Sequence, residues 1–250
     1  MRTRTLALAA ASGAALLAAA TPAPAAEARP ASGAVSAAAS RAESGAAGRG
    51  AAGIQEGSVS AADLLAKVTS CSQISNGKYR TDEETSATVP VCGKNGAVFW
   101  KADMDIDCDG QITAACNKNT DPWFQDDTAF HTSGDQPLNA EKLPYVVVPS
   151  SSSIWNYSSA GIKGGGVVAV IYNNKVEYAV VGDTGPNKII GEASYATAKA
   201  LGIDPDPKTG GAESGVTYIL FKNSKVSPIE SHSAAVTAGE ALAKQFIQNN

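Results

Sequence analysis

The chain has 250 residues, 44% of them hydrophobic and 18% charged, with a formal net charge of −4. Residues 1–60 hold five Arg and three Glu, which leaves 15 basic against 21 acidic residues in 61–250, a net of −6. A domain this acidic is a poor match for nucleic acid and a good one for a cationic partner.

The first five residues, Met1 to Thr5, are basic, and Leu6 to Ala20 form an apolar run. Ala23 and Ala25 then supply an Ala-x-Ala cleavage pattern. Residues 1–25 read as a secretory signal peptide. The run is too short and too Ala-rich for a comfortable membrane span, and no later stretch is long and apolar enough, so a secreted, extracellular protein without a membrane partner is expected. Residues 26–58 are Ala, Gly, Ser, Arg and Glu with almost no large apolar side chain. Such a segment buries too little surface to offset its ordering entropy and is expected to be disordered. Residues 59–250 remain for a single domain of ordinary size, expected to act as a monomer.

Ser60 can cap a short helix in which Asp63 falls three residues on and Leu64, Leu65 and Val68 form the apolar face. Four cysteines follow: Cys71, Cys92, Cys108 and Cys116. An even count in an exported chain implies two disulfides. Three pairings are open, and Cys71–Cys92 with Cys108–Cys116 is favoured because each closes a short loop. A four-cysteine zinc site lacks the required paired spacing.

Residues 96–100 read as a strand that leads into Asp103, Asp105, Asp107 and Asp109. In extended geometry these four alternate onto one side. Asp105-x-Asp107-x-Asp109-Gly110 imitates the opening of a calcium loop, but position 12, which needs a bidentate Glu, is Cys116. No metal is therefore expected. Four like charges on one face need something positive against them: a lysine, a metal or a cationic substrate.

The loop 121–130 mixes acids with Trp123 and Phe124, a pair that suits either a small core cluster or sugar stacking. Residues 143–149 read as a strand bracketed by prolines. Residues 166–172 and 176–181 form a hairpin around Asn173-Asn174-Lys175. Its second strand delivers Asp183. Residues 192–201 are expected to be helical, with Glu192 at the start and Gly202 as the C-terminal cap. Residues 215–221 give another strand and 233–248 a closing amphipathic helix. The fold class expected is mainly β with helical additions, a closed or nearly closed barrel.

The chemistry narrows by inventory. Two histidines, His131 and His232, lie near no G-x-S-x-G elbow, which argues against a serine hydrolase, and both read as surface or satisfied loop residues. There is no H-E-x-x-H for a zinc protease, and Gly164-Gly165-Gly166 lacks the Lys and Ser/Thr of a phosphate loop. Carboxylates in loops remain, foremost Asp183 and Glu192, nine positions apart across a turn. Two carboxyls across a groove are the equipment for cleaving a glycosidic bond.

Met104-Asp105-Ile106-Asp107-Cys108-Asp109-Gly110, Asp127-Thr128-Ala129-Phe130, Gly182-Asp183-Thr184-Gly185 and Gly191-Glu192-Ala193-Ser194 occur in this order. Together they resemble the glycoside hydrolase family 75 chitosanases. The resemblance covers most of residues 65–225. It implies a double-psi β-barrel, inverting endo-hydrolysis of chitosan without a cofactor, and Asp183 and Glu192 as the essential carboxylates. A helix dipole would lower the pKa of Glu192, whereas burial and the charge of Asp183 would raise it. The second effect makes Glu192 the acid and Asp183 the base. Asp103, Asp105, Asp107, Asp127 and Thr184 are the substrate-binding candidates, the acids as partners for glucosamine ammonium groups. The alternative is a non-catalytic carbohydrate-binding or cell-wall-loosening barrel, and a third reading is a calcium-stabilised structural domain.

Overall fold

A computed structural model describes residues 56–250. The expected signal peptide and most of the segment after it lie outside the described residues. The elements in chain order are α1 (Ala61–Lys67), β1 (Ser72–Gln73), β2 (Cys92–Lys94), β3 (Ala97–Asp107), β4 (Tyr145–Pro149), β5 (Val167–Tyr172), β6 (Lys175–Gly185), β7 (Glu192–Ser194), α2 (Tyr195–Leu201), β8 (Ala212–Phe221) and α3 (His232–Asn249).

Six strands close in the order β3-β7-β4-β6-β5-β8, and β8 pairs back onto β3. The β3–β7 and β4–β6 pairings are parallel and the rest of the ring is antiparallel. This is the closed, mainly β architecture with helical additions that the sequence reading expected; the mixed strand directions come from the structure. Closure leaves the six strands no open edge. β1 and β2 extend the sheet from β3 as a short antiparallel flap.

Alternation along the strands makes two cores. One draws on all six barrel strands and fills the interior: Trp100, Val146, Val168, Val181, Ala193 and Tyr218 belong to it. Trp100 stacks on Tyr218 with ring centroids 5.5 Å apart and meets Trp155 edge-on. The other lies on the outer face, where Phe99, Tyr178, Ile219 and Phe221 pack under Leu64 of α1 and Phe246 of α3.

Local chemistry sets the element ends. The Ser60 side chain accepts the Asp63 N–H and caps α1. Asn173 and Asn174 both take positive φ, 45° and 63°, between the paired residues Tyr172 and Lys175. A two-residue turn of that hand matches the twist of the strands it joins. Both disulfides form the favoured pairing, Cys71–Cys92 and Cys108–Cys116. The second stitches the start of the long 108–141 loop, whose Phe124, Leu138 and Ala140 extend the outer core beside β4.

The described residues 56–58 run against the barrel. Glu56 N–H donates to the Val176 carbonyl, and the Glu56 carboxylate accepts the Tyr178 N–H at 2.9 Å. His232 Nε2 stands 3.1 Å from Glu56 Oε1 and 3.1 Å from Glu177 Oε1. The two glutamates hold the imidazole pKa up to about 10, Glu177 contributing most. His232 is the first residue of α3, so one imidazolium ties that helix, β6 and the N-terminal strap together. Among the described residues this trio has ligand atoms close enough to share a metal ion, but the imidazolium already supplies the positive charge. No helix among the described residues is long and apolar enough to cross a membrane.

Candidate active site

Strand register gathers the motif acids. Val147 of β4 pairs with Asp183 of β6 on one side and with Glu192 of β7 on the other, and Glu192 pairs with Asp105 of β3. Registered neighbours on adjacent strands point to the same side. Asp183, Val147, Glu192 and Asp105 therefore form one row across the outer face of the barrel.

One extra residue makes that row. Val180 pairs with Tyr145 and Val181 with Val146, so strict alternation would turn Asp183 inward beside Val181. The next pair is Val147 with Asp183, which leaves Gly182 as a bulge. The bulge reverses the alternation and brings Asp183 outward. A side chain at this residue has no room, since a Cβ on Gly182 would stand 2.6 Å from the Tyr145 side chain and 2.8 Å from Leu138 Cδ1. Further along β6, Gly185 passes so near that a Cβ there would lie 3.1 Å from Glu192 Oε2.

Glu192 does not open a helix, as the sequence reading expected. It lies on β7, and Ser194 caps α2 by accepting the Thr197 N–H. The Ser194 hydroxyl also donates to the Leu143 carbonyl and accepts the Tyr145 N–H. These bonds join residues 192–194 to β4 and leave the helix to start at Tyr195. The dipole argument for a lowered Glu192 pKa therefore does not apply.

A cleft of about 300 Å³ borders the row. Asp105, Asp107, Asp109, Asp121 and Glu192 line it, together with Trp123 and a segment that contributes Asp206, Pro207, Lys208 and Gly210. None of the five carboxylates is in an ion pair among the described residues. Lys208 reaches across the rim to the Asn119 carbonyl, at 2.8 Å. Burial and mutual repulsion push every shifted acid of the cleft upward. Glu192 rises to about 8, through burial first and then the charges of Asp105, Asp109, Asp183 and Asp121. Asp107, beside it, is raised well above the usual carboxylate range by burial and then by Glu192. Asp109 reaches about 7 and Asp105, on the more open wall, about 6. Asp183 is also raised by burial, but it accepts backbone N–H groups from Ala129 at 2.8 Å and Thr184 at 2.6 Å, which pull it back. Glu192 is thus biased to hold a proton, and Asp183 carries two donors that favour its ionised form.

The other binding candidates are placed differently. Asp103 is buried and does not line the cleft; its Oδ1 has no hydrogen-bond partner, and a Cβ on Gly191 would collide with it. Gly191, with φ of +114°, lets the chain cross over Asp103 just before Glu192. Desolvation, and then the charge of Asp105, pushes Asp103 up to about 8. Asp127 points outward and accepts from His131 Nε2 at 2.7 Å, while His131 Nδ1 faces Asp135 at 3.1 Å. The His131 bond holds Asp127 below the usual carboxylate range. Thr184, half-buried, meets Asp183 through its backbone N–H.

Three parts of the cleft were not among the binding candidates read from the sequence. Asp109 belongs to the alternating acidic row but not to those candidates; its Oδ1 accepts the Gln125 N–H at 2.6 Å and it lines the cleft. Asp121 and Trp123 sat in a loop already noted for its acids and aromatics. The wall at 206–210 carries no pattern that a linear reading could use.

The family model described as fungal chitosanase of glycosyl hydrolase group 75 matches residues 104–249. Endo-chitosanase C of Aspergillus oryzae is 33% identical over 159 residues, which cover 62% of this chain and 37% of that protein. Endo-chitosanase B of A. oryzae is 31% identical over 154 residues, 55% of this chain and 64% of the relative. An endo-chitosanase of Aspergillus fumigatus is 33% identical over 141 residues, 51% of this chain and 59% of the relative. The chain thus spans from 37% to 64% of the length of these relatives.

Proposed function

The chain belongs to glycosyl hydrolase group 75, and from that premise we propose that it is an exported, endo-acting hydrolase of the β-1,4 bonds of chitosan. The observation that carries this reading is the outer-face row in which Val147 registers with both Asp183 and Glu192, beside a cleft of unpaired carboxylates. In the mechanism, Glu192, with a pKa near 8, holds the proton that passes to the leaving glycosidic oxygen. Asp183, oriented by the Ala129 and Thr184 amides, takes a proton from water. That water adds to the anomeric carbon from the face opposite the leaving group, so the configuration inverts and both protons are accounted for. Asp105, Asp109 and Asp121 hold the ammonium groups of the glucosamine units. Asp107, fully enclosed and raised by Glu192, stays neutral beside it. Export rests on the residues 1–25 pattern.

The test is reducing-end release from a defined chitosan, with NMR of the first-formed anomer and mass spectrometry of the products. Internal cleavage with an inverted anomer is expected. Binding without release would point to a carbohydrate-binding barrel instead, and a retained anomer would replace the water-activating role of Asp183 with a covalent one.

A further inference from the structure

We propose that Trp123 is a stacking platform for one pyranose ring of the polysaccharide, a specificity residue that reads the sugar ring where the carboxylates read its charge. The inference rests on the chitosan reading above. Adjacent aromatics in the 121–130 loop have opposite fates: Phe124 is 4% exposed in the outer core, and Trp123 is 83% exposed. An indole left in water contributes nothing to packing, yet this one sits on a fixed frame. The Trp123 backbone N–H donates to Asp121 Oδ1 at 2.8 Å, and the Trp123 backbone carbonyl accepts from Gln125 Nε2 at 3.0 Å. The Gln125 N–H donates in turn to Asp109 Oδ1, one residue from the Cys108–Cys116 bridge. The ring lines the same cleft as Glu192, Asp105 and Asp109.

The rest of that lining is mostly carboxylate, which recognises ammonium but has no complement for the C–H face of a pyranose. An aromatic face supplies that complement, and its large rigid surface carries little conformational entropy to lose on binding. The two kinds of contact also differ in salt response. Attraction between exposed carboxylates and ammonium groups is screened over about 8 Å at physiological ionic strength, whereas apolar stacking is not.

The experiment compares Trp123→Ala and Trp123→Phe with the parent on glucosamine hexamer, at low and high salt. For Trp123→Ala, KM should rise roughly 3- to 10-fold, the range of an aromatic contact, by the same factor at both salt levels, with kcat within twofold. Trp123→Phe should recover most of the loss. Tryptophan fluorescence gives a second readout. The chain has three tryptophans, and Trp100 and Trp155 are 1% and 6% exposed. Quenching by acrylamide therefore reports Trp123, and hexamer should protect it. An unchanged KM in Trp123→Ala, or no protection in a parent that hydrolyses hexamer, would overturn the platform and leave the function standing. A parent that neither binds nor cleaves hexamer would overturn both.

Discussion

Two carboxylate clusters on this barrel are built to opposite rules. At the strap, Glu56 and Glu177 face His232 at 3.1 Å each, and the imidazole is held protonated to about pH 10. In the cleft, Asp105, Asp107, Asp109, Asp121 and Glu192 face one another with no ion pair, and Glu192 is pushed up to about 8. The first cluster joins three segments of chain through a shared cation; the second holds loop backbone through Asp109 and Asp121 but leaves its acids repelling one another. On the proposed function a cationic substrate supplies the missing charge, since Lys208, the one lysine lining the cleft, is in no ion pair with these acids among the described residues.

The largest expected effect breaks the cleft side of this contrast. Glu192→Gln and Asp183→Asn should each lower turnover on chitosan by roughly 100-fold or more, the scale of a lost general acid or base, with near-UV circular dichroism unchanged. Retention of more than a few per cent of activity by either variant would remove that residue from the mechanism. Next comes the strap. His232→Ala leaves Glu177, 3% exposed, buried without its cation. Loss of one partner from a buried pair costs about 3–5 kcal/mol; a third of the imidazole is open to solvent, so we expect about 2 kcal/mol, measured by urea unfolding. Chitosan hydrolysis per folded molecule should not change.

The pH dependence of stability separates the clusters without any mutation. The cleft acids have folded pKa values above their unfolded ones. Protons bound by the folded state therefore stabilise it at low pH, and that contribution is lost as pH rises from about 4 towards 8. His232 is also raised, so its contribution is complete below about 6.5 and is lost as pH rises through about 10. Melting temperature against pH should fall in these two windows. Asp109→Asn should flatten the first and His232→Ala the second; a slope between pH 4 and 8 untouched by Asp109→Asn would show that the cleft acids are not under strain. Activity should follow the cleft alone, with an alkaline limb near the Glu192 value of about 8. The smallest effect is expected from Asp105→Asn, on the open wall: weaker chitosan binding, more so at low salt, and a melting temperature equal to or slightly above the parent's at pH 8.

Much of this was readable from the chain because the signals were local. Ser60 with Asp63, Asn173-Asn174 and Gly202 each act through their own backbone, and each sits where it was expected. The short-loop disulfides follow the same logic. What was hidden depends on partners distant in sequence. Glu192 joined a strand because β3 and β4 lie on either side of it, and Ser194 rather than Glu192 took the cap. Asp103 and Asp105 alternate identically, but only Asp103 lies beneath Gly191. Trp123 and Phe124 are neighbours with opposite burial, because Phe124 joins the outer core and Trp123 does not.

The Gly182 bulge has a consequence for how this barrel can vary. A strand keeps a two-beat phase, and a single inserted residue inverts it for everything downstream. Asp183, although buried, owes its place on the outer face to that inversion, as Gly185 owes its place beside Glu192. Side-chain substitutions along β6 that spare Gly182 leave the phase alone, whereas one further residue inserted between Gly182 and Asp183 would move the carboxylate into register with Val148, towards the packed interior. The carboxylate row is thus sensitive to the length of this strand and to the glycine at 182, and less so to the identity of the apolar residues on either side of it.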